Sequence, residues 1–134
     1  MMGIKNNEER KQTVIISLED LVPPNHLVRK IDAALDFSFI YGEVKDLYKP
    51  YGRESIDPVV LVKIMFIQYL FGIRSMRKTI EEIEVNFAYR WFIGYGMYET
   101  IPHFSTLGKN YSRRFEGTDV FEKIFQRILK EAYD

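Results

Sequence analysis

Residues 57–72 read DPVVLVKIMFIQYLFG, and the way this stretch is taken decides the fold. Asp57 can accept hydrogen bonds from the free N–H groups of a helix start, and Pro58 at the first helical position loses nothing by lacking its own. From Val59 to Phe71 the run is apolar apart from Lys63 and Gln68, and it stops at Gly72. A membrane-spanning helix needs about 20 apolar residues, so this run is too short to be one. The N-terminus, MMGIKNNEERKQ, is polar and mixed in charge, with no apolar stretch of the kind a signal peptide needs. The stretch therefore predicts a helix buried on most sides inside a small helical domain, with no membrane partner and a cytoplasmic location.

The segments on either side carry the same period. Residues 1–16 read as a flexible tail, and 17–134 as one helical domain. VIISLEDLVPP is a short apolar stretch stopped by Pro23 and Pro24. Asn25 is placed to cap a helix over about 25–36, with Leu27, Val28, Ile31, Ala34 and Leu35 on one face. A shorter helix follows over about 38–48, carried by Ile40, Val44 and Leu47; Pro50, Gly52 and the polar Arg53, Glu54 and Ser55 then form a loop. Beyond Gly72, Ser75 caps a helix with Met76, Ile80, Ile83 and Phe87 at helical spacing, and Arg77, Lys78, Glu81, Glu82 and Glu84 outside. The aromatic YRWFIGYG ends in two glycines, where that helix breaks or bends, and Trp91 and its neighbours read as core. After YETIPH, Ser105 or Thr106 caps a short helix to about Phe115. Gly117 ends it, and Thr118 caps the last helix, 119–133. Alternation of period two is almost absent. The fold class is all-α: a compact bundle of five or six helices with a helix-turn-helix-like C-terminal half.

Composition removes several kinds of chemistry. The chain has 134 residues, enough for one domain with a sizeable core. Lysine plus arginine equals aspartate plus glutamate at 19 each, so no strongly basic domain advertises a nucleic-acid partner. Cysteine is absent, which excludes disulfides, thiolate zinc sites and a cysteine nucleophile. His26 and His103 have no recognisable base–nucleophile partners, and no GxxxxGK[ST], GxGxxG or HExxH motif is present. Glu81, Glu82 and Glu84 read as a solvated helix face beside Arg77 and Lys78 rather than as metal ligands. No catalytic and no metal site is expected in this chain.

The stretch TIPHFSTLGKNYSRRF, residues 100–115, is different. Between Glu99 and Glu116 it has no acidic residue, but it has His103, Lys109, Arg113 and Arg114. Phe104, Leu107, Tyr111 and Phe115 make a buried stripe, and Thr106, Lys109, Asn110 and Arg113 take the opposite face. A helix apolar behind, and basic with amide and hydroxyl groups in front, suits a DNA groove. Lysine and arginine neutralise phosphates, while asparagine and arginine can reach base edges. Gly108 costs about 1 kcal/mol of helix stability relative to alanine but permits close approach of a backbone. Arg74, Arg77 and Lys78, at the junction after Gly72, could add phosphate contacts. The candidate DNA-binding residues are thus His103, Ser105, Thr106, Lys109, Asn110, Arg113 and Arg114, with Arg74, Arg77 and Lys78.

The order of motifs is also informative. LVPPNHLVRKIDAALDFSFI, then YGRESIDPVVLVKIMFIQYLFGIRSMRKTIEEIEVNFAYRWFIGYG, then IPHFSTLGKNYSRRF and VFEKIFQRIL resembles the N-terminal helical domain of bacterial insertion-sequence transposases, the InsH-like members of the DDE superfamily. The resemblance covers roughly residues 17–130. It implies that such a domain precedes a ribonuclease-H-like domain whose acidic triad binds two divalent metals and cuts and joins DNA ends. No triad residue maps onto this chain, so no cofactor is expected here, and the metal belongs to the catalytic domain. The resemblance further implies binding to the element's terminal repeats and a part in assembly. A helical chain lacking the catalytic domain is expected to be either part of a longer protein or the product of a truncated element.

Two readings follow. In the first the chain is a DNA-binding and assembly domain of a transposase, its partner double-stranded DNA and its affinity modest, since only about three to six basic groups could face one duplex. In the second it is an interaction module that dimerises or docks on full-length transposase, which a truncated product would inhibit. The exposed parts of Phe87 to Tyr98 would then make the contact.

Overall fold

The Asp57–Pro58 start forms as expected, and the helix it begins is the centre of the molecule. The computed structural model describes residues 1–52 and 54–133; Arg53 of the expected loop and Asp134 lie outside the described residues. Among the described residues the elements are α1 (Leu18–Leu21), α2 (Leu27–Ala34), α3 (Phe39–Val44), α4 (Pro58–Leu70), α5 (Met76–Val85), α6 (Phe87–Ile93), α7 (Phe104–Arg114) and α8 (Val120–Tyr133). Short 3-10 turns cover Glu8–Lys11 and Lys45–Leu47, and no strand is present among these residues. The chain is all-α.

The Asp57 side chain accepts from the Val59 N–H at 2.8 Å, and the Tyr41 hydroxyl donates to its other oxygen at 2.7 Å. That donation pushes the Tyr41 hydroxyl up to about 12. Leu61, Val62, Ile64, Phe66 and Ile67 of α4 are buried, and α3, α5 and α6 pack around it. Burying each such side chain is worth about 1.5–3 kcal/mol, which is why so apolar a helix sits inside rather than at the surface. Lys63 tolerates this position because its ammonium donates to the Phe92 carbonyl at 3.0 Å and lies 4.9 and 5.0 Å from the Phe37 and Phe92 rings. Burial pushes its pKa down.

Aromatic rings run through the bundle. Phe92 of α6 meets Phe66 of α4, which meets Phe125 of α8; Phe121 then links α8 to Phe115 and to Tyr111 of α7. This row seats α7 on the core.

Eight α-helices stand where five or six were expected. Part of the difference is α1, a single turn capped by Ser17, whose side chain accepts from the Asp20 N–H. The rest is a second break, at Asn86, in addition to the one that YRWFIGYG predicts and Gly94 makes. Asn86 has extended backbone and closes α5, while its side chain accepts from the Tyr89 N–H at 3.0 Å to start α6. An asparagine amide competes with the helix backbone for hydrogen bonds, and here it wins. The expected helix 38–48 is shorter, continuing only as the 3-10 turn at Lys45–Leu47.

Two expected caps are also displaced. α2 is capped by His26, not Asn25, and α7 by His103, not Ser105 or Thr106. In both, imidazole Nδ1 accepts from the backbone N–H two residues on, at 3.1 Å, as a carboxylate would.

Trp91 is half-buried and packs against the core, while its neighbours Tyr89 and Phe92 are buried within it. Its Nε1–H donates to the Glu19 carboxylate, the Arg29 guanidinium lies 4.6 Å over its ring, and Arg29 donates to Glu19 at 2.9 Å. The arginine and tryptophan donors hold the Glu19 carboxyl below its ordinary range. This clasp ties α1 and α2 to α6.

Candidate nucleic-acid interface

The chain reaches α7 through a ten-residue connection, 94–103, that two residues organise. Gly94 ends α6 in the left-handed region at φ 85°, where a Cβ would be strained, so the Tyr95 N–H can reach the Arg90 carbonyl at 2.9 Å. Arg90 is 7% exposed, and its guanidinium donates to the Glu84 carbonyl at 3.1 Å, the Gly96 carbonyl at 2.8 Å and the Glu99 carbonyl at 2.7 Å. Ile101 is then buried and the chain enters α7. A DNA-binding helix-turn-helix uses a turn of about three or four residues. The longer connection here instead lays α7 against α5, with α6 between them in sequence.

At the start of α7, His103 and Arg77 converge on Phe104. The imidazole lies 4.3 Å from the Phe104 ring, and the Arg77 guanidinium 4.5 Å over it. Arg77 of α5 is thereby joined to α7. Arg74 and Lys78 are not: both are exposed and line a separate shallow cleft with Glu82 and Tyr89.

Along α7, Leu107 is 1% exposed and Phe115, just past its end, is 1% exposed, as the apolar stripe requires. Ser105, Thr106, Lys109 and Arg113 are exposed on the other side, and α7 contains no acidic residue. Neither Lys109 nor Arg113 is in an ion pair among the described residues. The Ser105 hydroxyl lies 2.7 Å from His103 Nδ1, within the cap.

Asn110 and Arg114 are placed differently. The Asn110 amide donates to the Thr106 carbonyl at 2.9 Å, and its oxygen accepts from Arg114 at 3.0 Å. The Arg114 guanidinium sits 4.5 Å over the Tyr48 ring. Arg114 therefore points toward the loop after the 3-10 turn and away from Lys109. That loop brings residues the sequence reading passed over: Tyr48, Lys49, Tyr51 and Ser55 line a cleft with Arg113 and Arg114. Aromatic and basic residues interleaved in YKPYGRES were the available signal.

The arrangement can present two exposed cations and two hydroxyls on a rigidly seated helix, flanked by Arg77. The transposase domain family (DUF772) matches residues 16–113, and the chain belongs to that family. The matched segment starts just before α1 and ends within the last turn of α7, so it contains the whole outer face just described. No curated protein and no solved structure matches the chain. Among the described residues no helix is long and apolar enough to cross a membrane.

Proposed function

We propose that this chain is a DNA-binding and assembly domain of an insertion-sequence transposase of the InsH-like DDE kind, acting in the cytoplasm on the duplex ends of its element. The observation that carries the reading is α7: eleven residues without a carboxylate, apolar on the face that meets the core, with Thr106, Lys109 and Arg113 exposed. Membership of the transposase domain family supports it. Lys109 and Arg113 would neutralise phosphates and the Thr106 hydroxyl would accept or donate at the groove edge. Arg77, held over Phe104, would reach a phosphate beside the helix start. Asn110 could read a base only by giving up its bonds to Thr106 and Arg114, so it contributes position more than readout. Strand cutting and joining, with its divalent metals, is assigned to a different domain, and no residue here takes a catalytic role.

Fluorescence anisotropy of a labelled duplex carrying an element end tests this. The double variant Lys109→Glu, Arg113→Glu is expected to weaken binding on the order of tenfold or more with its helical circular dichroism unchanged. Equal binding by the variant and the parent would overturn the assignment of α7.

The second reading, an interaction module for another copy or for full-length transposase, is favoured by apolar side chains left exposed around the start of α6 and in the connection after it. Val85, Phe87 and Tyr98 are 82%, 43% and 93% exposed, and aromatic groups left in water this way are favoured in interface cores. It predicts a mass in sedimentation that rises with concentration and reverts when Phe87 and Tyr98 are replaced by serine. A chain that stays monomeric throughout would refute it.

A further inference from the structure

Beside the last turn of α7 lies a cleft of about 470 Å3, lined by Tyr48, Lys49, Tyr51 and Ser55 from the loop and Arg113 and Arg114 from the helix. Among the described residues no acidic side chain lines it, and none of its three cations is in an ion pair. Tyr51 is 74% exposed, a large ring left in water beside these cations. Arg114 is already held by Tyr48 and Asn110, so a ligand would meet a guanidinium whose position is set beforehand. A cleft of this size falls within the range of about 300–1,000 Å3 typical of small-molecule sites and admits no duplex.

We propose that this cleft takes one unpaired nucleotide of a DNA strand, its phosphate among Lys49, Arg113 and Arg114 and its base stacked on Tyr51. A duplex backbone contact needs cations only. An exposed aromatic ring set beside a carboxylate-free group of cations is the pattern that holds single strands, because every base offers a π-face. The proposal rests on the DNA-binding reading of α7. Arg113 belongs to both surfaces, one turn beyond Lys109, so a duplex along Lys109 would deliver a frayed or extended end into the cleft.

The test uses the whole chain and two measurements. In the first, anisotropy compares a blunt duplex with the same duplex carrying an unpaired extension. The extension is expected to tighten binding by roughly 5- to 150-fold, the worth of one base–aromatic stack. Tyr51→Ala is expected to remove this gain and leave the blunt duplex unchanged, while Tyr51→Phe keeps it. In the second, amide shifts are followed while short oligothymidylate, or inorganic phosphate alone, is added. Oligothymidylate is expected to move the amides of Tyr48, Lys49, Tyr51, Ser55, Arg113 and Arg114, and phosphate much less.

No gain from the extension, or a gain that survives Tyr51→Ala, would overturn the cleft and leave duplex binding by α7 standing. Phosphate acting as strongly as oligothymidylate would overturn the nucleotide and leave a bare anion site. Cleft shifts with oligothymidylate from a protein that binds no duplex would support the cleft and refute the α7 reading.

Discussion

Replacing Arg90 by methionine keeps most of the side chain's bulk and removes its donors. Three hydrogen bonds, at 2.7, 2.8 and 3.1 Å, would be lost from a residue only 7% exposed. Two effects oppose. A bond from a charged donor is worth about 1.5–3 kcal/mol, so losing three is costly, and the carbonyls are left without them. Against that, the buried guanidinium has no carboxylate partner among its hydrogen bonds, and removing it relieves its own desolvation. Glu84, Gly96 and Glu99 are exposed residues, so water can recover part of what their carbonyls lose. The net expectation is a loss of about 2–4 kcal/mol, a large share of the roughly 5–15 kcal/mol that holds a domain together. Denaturant titration would read this as a lower midpoint at constant slope. Hydrogen exchange should show the excess opening concentrated in 94–103, with α7 loosened next and the centre of α4 least affected. Arg90→Lys, with a single ammonium in place of the fork, should recover only part of the stability. A loss below about 1 kcal/mol, or exchange rising evenly over the chain, would refute the view that Arg90 organises the approach to α7.

Three other outcomes are expected. Gly108→Ala should stabilise α7 by about 1 kcal/mol, raising Tm by about 3–4 °C, because a Cβ at that position meets nothing within 4 Å; a lower Tm in calorimetry would show that the bare backbone is needed in the fold. Tyr48→Phe should leave stability unchanged or raise it by about 1 kcal/mol, since the buried hydroxyl has no hydrogen-bond partner among the described residues and burial pushes its pKa up; a clear loss in urea titration would reveal a partner. Tyr41, raised to about 12 by donating to Asp57, is held neutral by the fold. Its contribution is whole below about pH 10 and disappears as pH rises through about 12. Tyr41 is 47% exposed, so solvent screening reduces this to about 1 kcal/mol. Lys63 changes stability in the opposite sense as the solution becomes alkaline, because its burial cost is relieved once it is neutral. The difference between parent and Tyr41→Phe therefore isolates the tyrosine, and identical alkaline profiles would disprove the coupling.

Helix type and the central element were readable because the signals are local. Asp57-Pro58 is a helix start whatever surrounds it, and Ile80, Ile83, Leu107, Phe115, Ile124 and Ile128 all bury as their spacing implies, whereas Phe87, placed on the stripe of Ile80 and Ile83, is 43% exposed because the helix breaks before it. What was misread depends on competition between local partners. Asn86 could have stayed inside one long helix, and only its side-chain bond to the Tyr89 N–H makes it a break. Histidine caps were overlooked because serine, threonine, asparagine and aspartate are the usual choices, yet Nδ1 of His26 and His103 reaches the same N–H. Arg90 carried no sequence signal of burial, since its acceptors are backbone carbonyls that any residue supplies.

The candidate interface was legible in the same uneven way. Helical spacing placed Thr106, Lys109 and Arg113 together on the exposed face of α7, and the absence of acids between Glu99 and Glu116 set it apart. Spacing alone could not tell that Arg114 turns onto Tyr48, or that Arg77 reaches Phe104 while Arg74 and Lys78 lie at another cleft. Those are contacts between residues 27 or more positions apart, or choices of rotamer, and only the packed bundle decides them.

The central claim is that the outer face of α7 meets DNA phosphates, and the salt dependence of binding tests it most directly. Each phosphate neutralised contributes about 0.9 to the slope of log K against log salt on duplex DNA. The account predicts that Lys109→Gln with Arg113→Gln weakens binding and flattens this slope by about 2, with the thermal unfolding of the domain unchanged. A slope that stays at the parental value, in a folded variant, would contradict it.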